Sequence, residues 1–246
     1  MSRLSSFTRR RLNRYLRHHG YRIDRQSRIS FFEPMLWFCL KRCDMLQIIQ
    51  IGANDGKESD PISEFIKLNH KEVRAIVIEP IREYYEQLKC HYAGFPNVIP
   101  VNTAIHNTEK EMTLYRVDPT KASELPNWAK GIASFDSRHH EKSGIPSEAL
   151  LAEKVPCVTI GELLEEYQIA HVGLLQIDTE GYDAEILRGF NFDRIRPKLI
   201  RFEHGLAEGV MSRDTFSSVR SLLHQYDYEL MIEHHDATAY QFDLMC

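Results

Sequence analysis

Residues 46–56 read L-Q-I-I-Q-I-G-A-N-D-G, and the change of character halfway along that stretch decides the fold. Ile48, Ile49 and Ile51 give its first half the β-branched composition of a strand buried on both faces. The strand empties into a polar turn with a glycine at each end. Gly52 and Gly56 can take backbone angles closed to other residues and let a ligand approach the main chain, while Asn54 and Asp55 supply short polar arms. Asp60 and Pro61 then read as a helix N-cap and a first-turn residue, followed by Ile62, Phe65 and Ile66 at helical spacing. The unit is strand, glycine turn, helix.

Working outward, V-R-A-I-V-I-E-P at 73–80 is a second strand, and it delivers Glu79 at its end, 27 positions after Gly52. An acid at that place in a nucleotide-binding βαβ unit accepts hydrogen bonds from ribose hydroxyls; the alternative is that Glu79 simply begins the helix expected over 82–91. A third strand is expected over 97–105, with Asn102, Thr103 and Ala104 where a nucleoside base would lie. Residues 111–118 alternate apolar and polar side chains as a half-exposed strand does. Residues 119–150 hold three prolines and two glycines with little periodicity, and read as a structureless substrate lid carrying Trp128, Ser134, Phe135, Asp136, Arg138, His139 and His140.

Regular alternation resumes with a short strand at 155–160, a helix at 161–167 and V-G-L-L-Q-I-D at 172–178. This last strand places Asp178, Thr179 and Glu180 in the turn before a helix at 184–190. K-L-I-R-F-E at 198–203 ends in Glu203 and His204. A helix over 213–225 and strands over 228–233 and 239–244 complete the chain. Strands alternating with helices predict a doubly wound α/β sheet, and in such a sheet ligands bind beyond the carboxyl ends of the strands, where Glu79, Asp178, Glu203 and His204 would converge.

The glycine turn narrows the ligand. A dinucleotide turn reads G-x-G-x-x-G, the middle glycine leaving room for the pyrophosphate. Here Asn54 occupies that place, which suits a phosphate-free ligand with an amino-acid end joined to adenosine, such as S-adenosylmethionine. An NAD-dependent oxidoreductase is the alternative enzyme; a non-catalytic nucleic-acid-binding protein is the alternative outside enzymology.

The same residues resemble the FkbM-like family of class I S-adenosylmethionine-dependent methyltransferases. The resemblance is carried by I-Q-I-G-A-N-D-G (49–56), V-I-E-P (77–80), N-T-A-I (102–105), L-L-Q-I-D-T-E-G-Y-D-A-E-I-L-R-G (174–189) and F-E-H (202–204). It implies a Rossmann-like sheet of seven strands with helices on both faces and methyl transfer, typically to a hydroxyl oxygen. By position it assigns Gly52, Asn54 and Gly56 to the methionine part of the cofactor, Glu79 to the ribose, Thr103 and Ala104 to the adenine, with Asp178 also at the cofactor. The acceptor, a small molecule or sugar, is not specified by it.

Methyl transfer to a hydroxyl needs a base for the departing proton and in-line alignment of the acceptor oxygen. Asp178 and His204 are the candidate bases and Glu203 the residue that orients a partner. A second arrangement has Asp178 and Glu203 holding magnesium against the acceptor; the metal-free base is the preferred one. Tyr182, Trp128 and Trp37 are candidate stacking surfaces for a flat substrate face, with core packing as the alternative.

Composition adds bounds. The longest apolar run near the N-terminus, residues 35–40, is far short of the roughly 18 residues that span a bilayer, and the five cysteines (39, 43, 90, 157, 246) are odd in number and scattered. Both suggest a cytoplasmic protein. Residues 1–28 carry nine arginines against one acid, Asp24, although the net charge is −4. That segment is expected to be a basic amphipathic helix within an N-terminal extension at 1–45, with the methyltransferase domain at 46–246. A transit peptide, a membrane or nucleic-acid arm, a homo-oligomer contact and a solvated surface helix all suit it.

Overall fold

The first strand, β1 (Leu46–Ile51), is buried along its whole length, as a parallel strand covered on both faces must be. The computed structural model describes residues 30–57, 60–126, 129, 131–142 and 144–241. The expectations for the arginine-rich segment at 1–28, for Trp128 and for the end of the last strand lie outside the described residues.

β1 pairs in parallel with β2 (Val73–Ile78), which pairs with β3 (Val98–Val101). On its other side β1 meets β8 (Leu174–Ile177), and β8 meets β9 (Leu199–Glu203). β11 (Asp236–Gln241) joins antiparallel to β9, and β10 (Tyr228–Ile232) closes that edge. The order is β10-β11-β9-β8-β1-β2-β3, a seven-stranded Rossmann-like sheet. Its winding reverses between β1 and β8, and a crevice opens there past the strand ends.

Side-chain alternation along the strands divides the core. Ile49, Ile51, Ile76, Ile78, Leu175, Ile177, Ile200 and Phe202 face the helices Ile160–Glu166, Asp183–Gly189 and Arg213–Gln225. Leu46, Ile48, Val73, Ala75, Leu174 and Leu199 face the helices Phe32–Leu40 and Ser63–Leu68. Each fully buried isoleucine here contributes about 2 kcal/mol relative to exposure, so the two layers fix the strand register. The helix Phe32–Leu40 belongs to this core through Phe32, Met35, Leu36, Cys39 and Leu40.

Two expectations change. The strand expected over 97–105 breaks after Val101, because Asn102 turns its amide to the carbonyls of Glu79 and Pro80, both at 2.9 Å. Its remainder, β4 (Ala104–Ile105), joins a second sheet of order β4-β7-β5-β6 with β7 (Leu150–Val158), β5 (Glu111–Val117) and β6 (Ala133–Ser134). The strand expected over 155–160 is the last part of β7.

Residues 119–150 are not structureless. Among the described residues they hold β6, the short helix His139–Lys142 and the 3-10 turns Ala122–Glu124 and Ser147–Ala149, and Ala129, Ile132, Ile145 and Ala149 pack with Val117 into a small core. None of these elements exceeds four residues, too short for periodicity to register.

Candidate active site

Four strand ends converge on one cleft of about 550 Å³: residues 52–55 after β1, 79–81 after β2, 103–105 after β3, and 178–180 after β8. Its far wall comes from the second sheet and the folded segment, through Leu114, Pro119, Ala122, Gly131, Ala133 and Phe135.

The glycine turn is held from both sides. Gly52 has φ +81°, and a Cβ there would lie 1.7 Å from the Asp178 carbonyl oxygen, so β1 and β8 approach too closely for any side chain. The N–H groups of Gly52 and Ala53 donate to the Ile78 carbonyl at 3.0 and 2.9 Å. Asn54 is left-handed at φ +48°, and its N–H donates to Glu79 Oε2 at 2.9 Å. Glu79 Oε1 accepts from the Ile81 N–H at 2.8 Å. The carboxylate thus binds two turns of its own chain as well as lining the cleft. Burial pushes its pKa up to about 7, against the pull of those two hydrogen bonds. Gly56 lies behind the turn, where a Cβ would meet Leu88 and His91 at 2.8 and 3.0 Å; it shapes the turn without lining the cleft.

Thr103 and Ala104 line the cleft with Ile105, Ile81 and Tyr84. The Thr103 hydroxyl is 3.1 Å from the Pro156 carbonyl and 3.2 Å from that of Ala104, so it sets the backbone at the start of β4. Ala104 packs in an apolar cluster with Ile81 and Leu114.

Asp178 stands at the end of β8, its N–H donating to the Ile51 carbonyl at 2.9 Å. Its side chain is open to the cleft although protein surrounds it. Desolvation, and then the charges of Glu180, Asp183, Asp236 and Asp60, raise its pKa well above the ordinary range. Behind it Asp183 is fully buried. Its Oδ2 accepts from the Thr179 hydroxyl and N–H at 2.5 and 3.1 Å, and its Oδ1 from the Glu203 N–H at 2.9 Å. Asp183 therefore clamps the ends of β8 and β9 together, and burial lifts its pKa to about 6.

Glu203 and His204 do not line the cleft. Glu203 is pushed up to about 9 by burial and by Glu180, Asp178, Asp183 and Asp236, and because it stands outside the cleft it has no reach to an acceptor there. His204 is buried. The Leu206 N–H donates to its Nδ1 at 3.2 Å, and its Nε2 lies 3.2 Å from the Glu233 carbonyl, which can only accept. Those contacts occupy the lone pair a base needs, so the expectation of His204 as a general base is corrected: it ties the loop after β9 to the turn after β10.

The aromatic expectations change as well. Trp37 packs edge-on against Phe65 with centroids 5.1 Å apart, on the core face. Tyr182 stacks on His106 at 5.0 Å, with Phe135 edge-on to both. The Tyr182 ring thus braces the wall of the site.

Several site residues escaped the sequence reading. Gln50 and Gln176 sit opposite each other on β1 and β8, 2% exposed, and line the cleft; the side-chain oxygen of each lacks a hydrogen-bond partner. Gln50 Nε2 donates to Asp60 Oδ2 at 3.1 Å, while Asp60 Oδ1 caps the next helix through the Ile62 and Ser63 N–H groups, both at 2.8 Å. Glu180, left-handed at φ +52°, receives Ser134 Oγ on its carbonyl at 2.8 Å and has His139 Nε2 3.1 Å from its carboxylate. The folded segment is thereby latched to the β8 turn. Glutamines interrupting apolar strands, L-Q-I-I-Q-I and L-L-Q-I, were the available signal for the first pair.

Asp55, Asp60, Glu79, Glu83, Asp178 and Glu180 all line the cleft, and among the described residues no lysine, arginine or histidine does. A phosphate would find no basic side chain there, whereas a cationic ligand would favour the ionised form of these carboxyl groups.

The model of the methyltransferase FkbM domain matches residues 50–230. No curated protein matches the chain. Among solved structures, the chain is similar to the precorrin-6y C5,15-methyltransferase of Geobacter metallireducens, at 13% identity over 89% of this chain and 93% of that one, with a TM-score of 0.41. It is also similar to an rRNA methylase of Streptococcus thermophilus, at 8% identity over 87% and 97% with a TM-score of 0.45. A third likeness is to the METTL16 MTase domain, at 11% identity over 96% and 80% with a TM-score of 0.46.

Proposed function

The chain belongs to the FkbM methyltransferase domain family, and on that premise we propose that it moves the methyl group of S-adenosylmethionine to a hydroxyl oxygen of a small acceptor, a sugar among the candidates. The observation that carries the reading is the charge of the cleft. Six carboxyl side chains and no described basic one suit a ligand bearing a sulfonium and an ammonium, and oppose the pyrophosphate of NAD.

The residues present fit such a cofactor. The unpartnered oxygens of Gln50 and Gln176 are acceptors for an ammonium, beside Asp60 and the Gly52–Asn54 backbone. Glu79 retains lone pairs for ribose hydroxyls, and Ile81, Tyr84, Ala104, Ile105 and Leu114 offer an apolar slot for adenine. When bound, S-adenosylmethionine supplies an electrophilic methyl carbon on a positively charged sulfur. Asp178 takes the proton from the acceptor hydroxyl. Its raised pKa makes it a stronger base than an ordinary carboxylate, and its opening toward the cleft gives it access. Asp183 and Glu203 position that turn from behind. The wall formed by Phe135 and Ala133 excludes water from one side of the transfer.

Residues 46–246 act as the catalytic domain in this reading, with the helix Phe32–Leu40 packed into its core and the described part of 119–150 as a wall of the acceptor side. The test is transfer of isotope-labelled methyl from S-adenosylmethionine to a panel of hydroxyl compounds, with amine compounds alongside; label on oxygen supports the reading and label confined to nitrogen opposes it. No helix among the described residues is long and apolar enough to cross a membrane.

A further inference from the structure

We propose that Glu208, His234 and His235 form a binding site for one divalent transition-metal ion of the zinc class, separate from the cleft. One ligating atom from each residue lies within 4.8 Å of the others, and all three residues are exposed. None lines the cleft. His235 Nδ1 and Glu208 Oε2 are 3.4 Å apart, which matches the edge of about 3.4 Å expected for a tetrahedron with metal bonds of about 2.1 Å.

The backbone builds this convergence. Neighbours in an extended strand point to opposite faces, but His234 and His235 sit in the tight turn between β10 and β11, closed by the Glu233 N–H on the Asp236 carbonyl at 2.8 Å. Their rings therefore come together, with centroids 4.3 Å apart. The His235 carbonyl accepts from the N–H groups of His204 and Gly205 at 2.8 and 3.0 Å, which locks the turn to the start of the loop carrying Glu208. That loop is itself closed by the Glu208 and Val210 N–H groups on the Gly205 carbonyl, at 3.1 and 3.0 Å. With both backbones fixed, only side-chain rotation separates the three donors from a common ion.

Two imidazoles and a carboxylate select zinc, nickel or copper over magnesium and calcium, whose ligands are oxygen atoms. Water completes the exposed coordination sphere. The ion joins the loop after β9 to the turn before β11, the two segments already tied by the His204 and Gly205 N–H groups on the His235 carbonyl.

The full chain, stripped with a chelator, is titrated with zinc chloride in competition with a chromophoric chelator, beside Glu208→Gln and the double variant H234N/H235N. The wild type is expected to bind one more equivalent of zinc than the double variant, and Glu208→Gln to weaken that equivalent at least about tenfold. Zinc is expected to raise the melting temperature of the wild type and leave that of the double variant unmoved. Equal stoichiometry and affinity in wild type and double variant, or displacement of the ion by equimolar magnesium, overturns the site. Because every readout is binding or melting, the result is independent of methyl transfer.

Discussion

The backbone N–H of Asn54 donates to Glu79 at 2.9 Å, so the acid at the end of β2 holds the turn at the end of β1 in the shape a ligand would meet. Glu79→Gln removes one of two acceptor oxygens and places an amide donor against a backbone donor. It is expected to cost about 1–3 kcal/mol in chemical denaturation and to weaken S-adenosylmethionine binding in calorimetry.

Gly52→Ala puts a methyl group 1.7 Å from the Asp178 carbonyl oxygen at a positive φ. Backbone cannot rotate away as a side chain can, so β1 and β8 must part. A loss of about 3 kcal/mol in stability is expected, accompanied by loss of cofactor affinity.

Asp178→Asn is expected to lower kcat about 100- to 10,000-fold with little change in melting temperature. A base must be ionised, so wild-type kcat/KM rises with pH through an ascending limb above the ordinary carboxylate range, as the raised pKa of Asp178 requires. The limb disappears in the variant. His204→Asn is the contrast: it loses two backbone contacts, lowers stability by about 1–3 kcal/mol, and keeps the limb.

Glu203 gives the stability profile its sign. Its folded pKa stands at about 9 against an ordinary 4.5, so the folded state holds a proton that the unfolded chain releases. Stability from this group is complete below pH 4.5 and is lost as pH rises toward 9, by up to about 1.4 kcal/mol per pH unit. Glu203→Gln flattens that slope, and thermal melts of both proteins between pH 5 and 9 measure it.

The main sheet was legible because its parallel strands are short β-branched runs ending in Gly, Glu or Asp, a pattern that burial on both faces imposes. Glu79 and Asp178 were legible as strand-end acids for the same reason. His204 was not, since position at a strand end says nothing about whether the ring's lone pair is already taken by the Leu206 N–H. The wall at 119–150 was hidden because its elements are held by Val117, Glu180 and one another rather than by local periodicity. Asp183 and the two glutamines depend on pairings between distant strands that no local spacing reveals.

The central claim is that the acidic cleft takes the sulfonium-bearing methyl donor, and calorimetric titration of the full chain with S-adenosylmethionine, with NAD as the comparison, measures it most directly. The expected result is one equivalent of S-adenosylmethionine bound, with no detectable heat from NAD. Binding of NAD, or no binding of S-adenosylmethionine by protein shown to be folded, would contradict it.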